Sequence, residues 1–165
     1  MGQNGMRNIA KEVHGSDFRE NQIHFFDYFL EHKNHNIIAD APTGIGKSLI
    51  AMQIAINLEL PGTVFIVTPT KDLMKQYERD FGKLEDVMLL AGKSEYKCLA
   101  NTDHTAELCT HSLKSPCKHH YSVINDSCEY SKKISTFMDY KAVVTNYHLM
   151  LALINIRPAL PGGVR

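Results

Sequence analysis

The residues Ala41-Pro42-Thr43-Gly44-Ile45-Gly46-Lys47-Ser48 carry the most specific chemistry in the chain. Gly44 and Gly46 let the backbone turn until several N–H groups point at one anion. The helix that follows adds the positive end of its dipole. In such a loop Thr43, Gly44, Ile45 and Gly46 wrap phosphates, Lys47 reaches the outer ones, and the Ser48 hydroxyl is placed to hold Mg²⁺. Lys47 is the candidate catalytic group, because its charge meets the phosphates where reaction occurs. The pattern departs from G-x-x-x-x-G-K-[ST] at one place, where Ala41 stands for the first glycine. A chance glycine-rich turn would not need an apolar run before it, Lys-Ser at its end and an apolar-periodic run after it, all in register.

A second group is formed by the four cysteines, Cys98, Cys109, Cys117 and Cys128, separated by ten, seven and ten residues. Zinc ribbons and fingers usually take paired ligands two to four residues apart, and no such pair exists here. Widely spaced single cysteines suit a cluster gripped by a loop-rich module, and four thiolates are the usual complement of a [4Fe–4S] cluster. His104, His111, His119 and His120 keep a Cys/His zinc site open, and four unrelated thiols are the bland alternative. The same stretch carries Lys114, Lys118, Lys132 and Lys133, with Tyr96, Tyr121 and Tyr130 among them. Cations and aromatics so mixed can track a single nucleic-acid strand and stack its bases, or simply form a solvated surface.

Elements must position these groups. Residues 36–40 form a short apolar run of buried-strand length before the loop, and residues 49–58 carry apolar side chains at helical spacing after it. A first short helix is expected within residues 1–16, and an amphipathic helix over 18–31, with Ser16-Asp17 as its cap. Residues 63–67 are β-branched and apolar and predict a buried parallel strand, followed by a helix over 71–81. Thr68 and Thr70 end that strand; their hydroxyls could hold a nucleic-acid phosphate, or cap the helix. Residues 87–90 predict a third strand, 134–140 a helix, 141–146 a fourth strand and 147–156 a last helix. Strands alternating with helices give an α/β fold with a parallel sheet, whose ligands gather at the carboxyl ends of the strands. Residues 92–133 are poor in large aliphatics, so this lobe needs a staple to fold.

The chain as a whole sets the frame. Its 165 residues suffice for about one domain. It is 44% hydrophobic and 22% charged, with formal net charge +0, so any nucleic-acid site must be a local patch. No apolar run of membrane-spanning length and no signal peptide is apparent, and with a nucleotide loop this points to the cytoplasm. There, cysteines point to metal or cluster ligation before disulfides.

Taken together these stretches resemble the iron–sulfur superfamily 2 DNA helicases of the XPD/DinG type. Arg19 and Gln22 look like the R-x-x-Q before the loop, whose glutamine amide reads adenine. Residues 41–48 are similar to helicase motif I in its A-x-x-G-x-G-K-[ST] form, and 67–70 with Leu73 and Gln76 to motif Ia. Residues 92–98 resemble the G-[RK]-x-x-Y-x-C segment that opens the cluster domain, and 143–149 the V-x-x-N-[YH]-x-x-L segment before motif II. The resemblance implies a RecA-like P-loop domain, incomplete, over 1–91 and 134–165, with a small loop- and helix-rich Fe–S insertion over 92–133. It implies ATP and Mg²⁺ as cofactors, with Arg19 and Gln22 in the nucleotide site. It makes Cys98, Cys109, Cys117 and Cys128 the cluster ligands, although family members often carry two cysteines close together. Single-stranded DNA is the implied partner, met by Thr68, Thr70, Lys118, Lys132 and Lys133.

Motif II, the D-E-A-H that holds Mg²⁺ and polarises the attacking water, is not in the sequence, and neither is a second RecA-like domain with its arginine finger. The expectation is therefore an N-terminal helicase part, inactive alone, that needs a C-terminal half in the same gene or another chain. Two other classes remain: a non-catalytic zinc or cluster module that binds nucleic acid with a relict loop, and a small P-loop kinase with a zinc lid. The kinase would need catalytic acids, for which Asp103 and Asp126 are the nearby candidates.

Overall fold

The computed structural model describes residues 6–59, 61–109, 119 and 128–155. Cys117, Lys118, His111, His120, Tyr121, Lys114 and Asp126 lie outside them. Three strands, β1 (Val64–Thr68), β2 (Val87–Leu90) and β3 (Ala142–Asn146), form one parallel sheet in the order β1-β3-β2. The register sets Val64 and Val87 on either side of Ala142, and Thr68 opposite Asn146. Among the described residues six helices accompany them: α1 (Ile9–His14), α2 (Glu20–Glu31), α3 (Lys47–Asn57), α4 (Lys71–Phe81), α5 (Glu129–Thr136) and α6 (Tyr147–Asn155). Short 3₁₀ turns stand at Lys93–Glu95, Ala106–Leu108 and Phe137–Asp139.

The order follows from burial. β3 reads Ala-Val-Val-Thr, and Ala142 to Thr145 are all 0% exposed, as a strand covered on both faces requires. Alternate side chains go to opposite faces. Ala142, Val144, Val87 and Leu89 meet α1, α3 and α4 through Ile9, Met52, Met74 and Phe81. Val143, Met88 and Leu90 meet Phe137 and Leu153 on the other face. The result is helix, sheet, helix in three layers, the expected α/β class.

Some expectations fail locally. Residues 36–40 form no strand, and Ile38 is fully exposed. An apolar run becomes a strand only where a neighbour completes its hydrogen bonds, and no described strand lies beside this one. Ser16-Asp17 does not cap α2. Arg19 is the N-cap residue, and Asp17 instead accepts a hydrogen bond from Asn8 at 2.9 Å. The helix expected over 134–140 starts earlier, at Glu129, and gives way to the Phe137–Asp139 turn. Aromatic side chains explain the shift: Tyr130 packs tilted against Tyr96 at 5.7 Å between centroids, and Phe137 is buried against Phe65 at 6.1 Å.

Candidate nucleotide site

The loop is built on two left-handed glycines. Gly44 sits at φ +84° in the turn and Gly46 at φ +90° as N-cap of α3. Only glycine takes this conformation at little cost. Gly46 is constrained a second time, because a Cβ there would meet the Gln22 amide nitrogen at 2.4 Å. No side chain caps α3, so the N–H groups of its first turn have no side-chain acceptor and face the loop.

Gln22 reaches that loop from the first turn of α2. Its amide oxygen accepts from the Arg19 N–H at 2.9 Å, and its amide nitrogen donates to the Ile45 carbonyl at 2.8 Å. It is 5% exposed, a buried polar side chain and not part of a solvated helix face. Both ends of the amide bind backbone, which ties α2 to the turn. Arg19 itself is exposed beside it.

Lys47 folds back over the loop and donates to the carbonyls of Ala41 at 2.8 Å and Pro42 at 3.1 Å. Thr43 is exposed at the tip. Ser48, half-buried, shares a hydrogen bond with the Tyr77 phenol of α4. Burial pushes that phenol up, and the Ser48 bond opposes the shift. An uncapped helix start, a left-handed turn and one exposed ammonium over its mouth fit a triphosphate with its Mg²⁺.

The residues expected to meet DNA take the following positions. Thr68 is 4% exposed, and its hydroxyl donates to the carbonyls of Thr145 and Thr70. Thr70 caps α4 by accepting from the Leu73 N–H. Lys132 is exposed on α5, whereas Lys133 pairs with Glu129 at 3.2 Å and lies 5.4 Å from the Tyr96 ring centroid. Tyr96, 4% exposed, accepts a hydrogen bond from the Ala91 N–H at 2.9 Å, and burial pushes its pKa up to about 12. It is a core residue that fastens the cysteine-bearing segment to the end of β2, and its ring is closed to a nucleic-acid base.

Cys98, Cys109 and Cys128 are free thiols, each half-buried. The Cys98 N–H donates to the His104 carbonyl at 3.0 Å and the Cys128 N–H to the His119 carbonyl at 2.8 Å. Cys128 and Cys109 both act on the Tyr130 phenol, after burial, to raise its pKa. Among the described residues no three His, Cys, Asp or Glu side chains converge as a metal site.

Sequence reasoning missed three side chains. On α3, Gln53 accepts from the Ile9 N–H at 3.0 Å and donates to the Arg7 carbonyl at 2.9 Å. Asn57 accepts from the Arg7 N–H at 2.8 Å. The available signal was an amide among the buried apolar residues of one helix, Met52, Ala55 and Ile56. Tyr77 gave no signal, since Met74, Tyr77 and Phe81 read as an ordinary core stripe.

A parallel sheet between helix layers, with a glycine-turned loop opening α3, defines a P-loop nucleotide-binding protein. The family model for the DEAD/DEAH box helicase matches residues 19–144, and the chain belongs to that family. The sheet is accordingly part of a RecA-like helicase domain, whose members use ATP and Mg²⁺. Neither a curated protein nor a solved structure matches the chain. Among the described residues no helix is long and apolar enough to cross a membrane.

Proposed function

We propose that this chain is the ATP-binding part of an ATP-dependent DNA helicase of the XPD/DinG type, which translocates on single strands when joined to a second RecA-like half. The observation that carries this reading is the loop of residues 41–48 clamped by Gln22 from α2 within a DEAD/DEAH box helicase domain. Bound Mg²⁺ would draw charge from the phosphates and hold them for attack. Gly44, Gly46 and the start of α3 cradle the phosphates, Lys47 neutralises the outer ones, and Ser48 offers its hydroxyl to the ion. Arg19 and Gln22 are proposed to border the nucleotide site, Gln22 through its bond to the Ile45 carbonyl. The domain division is 1–91 and 134–165 for the nucleotide part and 92–133 for the cysteine lobe, and the cytoplasm is the compartment.

The lobe is proposed to hold a [4Fe–4S] cluster on Cys98, Cys109, Cys117 and Cys128. Support comes from four thiols in one stretch of an otherwise cysteine-free chain, and from Tyr130 feeling both Cys128 and Cys109. Zinc is the second reading. It is favoured by the two backbone bonds that bring His104 and His119 to Cys98 and Cys128. Anaerobic purification separates them: a brown protein absorbing broadly in the blue supports the cluster, and a colourless one with stoichiometric zinc rejects it.

The nucleotide reading is tested by titrating a fluorescent ATP analogue into the chain with Mg²⁺. Binding is expected, with most of the affinity lost in Lys47→Ala, which removes the full charge of the loop itself. Equal binding by both proteins would reject the loop as the site.

A further inference from the structure

The side chain of Gln22 joins the first turn of α2 to the phosphate loop, with both ends of its amide engaged. Its oxygen accepts from the Arg19 N–H at 2.9 Å, and its nitrogen donates to the Ile45 carbonyl at 2.8 Å. The side chain is buried, and its nitrogen is packed so closely on Gly46 that a Cβ there would lie 2.4 Å from it. A glutamine that reads adenine must offer oxygen and nitrogen together to one edge of the base. This one faces backbone with both. Turning it to a base would take the Arg19 N–H and the Ile45 carbonyl from their partner, and a buried group left unpaired costs at least what the new bond returns.

The bond to Ile45 also fixes the peptide that follows. In a trans peptide the C=O and the next N–H point opposite ways, and no peptide among the described residues is cis. With its carbonyl held by Gln22, the Ile45–Gly46 peptide turns the Gly46 N–H away from α2. Gly46 is the N-cap of α3, and among the described residues no acceptor takes that N–H. It is one of the donors that a phosphate meets at the start of such a helix.

We propose that Gln22 is a positioning residue for the triphosphate, setting the Gly46 N–H as a phosphate donor, and that the site therefore takes nucleoside triphosphates of any base. The inference rests on the nucleotide reading above and widens its substrate class. It departs from the adenine-reading role that the sequence resemblance implies for this glutamine. Selection falls on the phosphates, through Gly44, Gly46, Lys47 and Ser48, and Gln22 reads no base edge. Arg19, exposed at the same end of α2, offers a flat cation to the face of a base, and every base has such a face.

The test uses the full chain with Mg²⁺ and compares ATP, GTP, CTP, UTP and inorganic tripolyphosphate as competitors of a fluorescent ATP analogue. In the wild type the four nucleotides are expected to bind within about threefold of one another, less than a good hydrogen bond to a base would bring. Gln22→Ala is expected to weaken all five ligands by a common factor of about ten, the scale of one hydrogen bond to a charged group. Gln22→Met, which keeps the bulk of the side chain and neither polar atom, must do the same. NMR separates orientation from a general loosening of the loop. Saturating tripolyphosphate is expected to move the Gly46 amide proton downfield in the wild type and in neither variant, with the Leu49 and Ile50 amides alike in all three proteins. A preference for ATP of about tenfold or more overturns the base indifference, and its loss in Gln22→Ala would show Gln22 reading adenine. Tripolyphosphate affinity unchanged in both variants overturns the positioning role and leaves the loop standing as the nucleotide site. A wild type that binds none of the five overturns the nucleotide reading, and this inference with it.

Discussion

At the scale of residues, the loop is held by what its glycines leave out. Gly44 and Gly46 share a left-handed backbone, but a Cβ at Gly44 meets nothing within 4 Å, whereas one at Gly46 runs into Gln22. Gly44→Ala is therefore expected to cost about 1 kcal/mol of backbone strain and little more. Gly46→Ala adds the loss of the Gln22 clamp and should weaken ATP-analogue binding at least tenfold. Thermal melts read the strain and the titration reads the clamp; equal effects of the two substitutions on both would show that Gln22 holds nothing. The glycines and Lys47 were legible in the sequence, because a phosphate loop is a local pattern. Gln22 was legible as a position but its bond was not, since Ile45 lies on another element and only the fold brings the two together.

Among the elements, those with a regular hydrophobic period were legible and those defined by a neighbour were not. Residues 71–81 show the helical period clearly, and α4 occupies that span. Residues 36–40 look equally apolar as a strand, yet the ladder that would make them one has no second side among the described residues. The tether of the N-terminus was hidden for the same reason. Gln53 binds two backbone groups of residues 7–9, and Asn57 binds a third. Arg7 also pairs with Glu12 and Asp86 at the surface, where such pairs add about 1 kcal/mol or less. The buried amide matters more. Gln53→Leu leaves the Ile9 N–H and the Arg7 carbonyl without that partner and is expected to cost about 1–3 kcal/mol. Denaturant unfolding of the variant checks this. A change below about 0.5 kcal/mol, the size of an ordinary surface substitution, would mean that the amide bonds are not holding the segment.

For the whole molecule the question is how the cysteine lobe relates to the sheet. The lobe was read from composition as a unit that needs a staple, and its two ends are in fact fastened to the main core. Tyr96 and Ala106 are buried with the residues of α4 and β2, and Tyr130 packs against them. Cys109→Ser should therefore loosen the middle of residues 92–133 while the Tyr96 anchor and the nucleotide domain keep their protection. Hydrogen exchange would show protection lost between residues 98 and 128 and kept in α3 and β3. Loss spread evenly over both parts would contradict a lobe stapled separately from the domain that carries it.

The central proposal is that residues 41–48 cradle ATP and that splitting it takes further groups outside this loop. Transition-state stabilisation by an arginine finger alone is worth about 10³–10⁵ in rate, and the motif II acid would organise Mg²⁺ and water. The direct test is an ATPase assay on this chain with saturating single-stranded DNA, beside Lys47→Ala. The account predicts ATP binding that the substitution removes, and turnover no greater in the wild type than in the variant. Helicase-like turnover that disappears in Lys47→Ala would contradict it, by showing a catalytic acid within these residues.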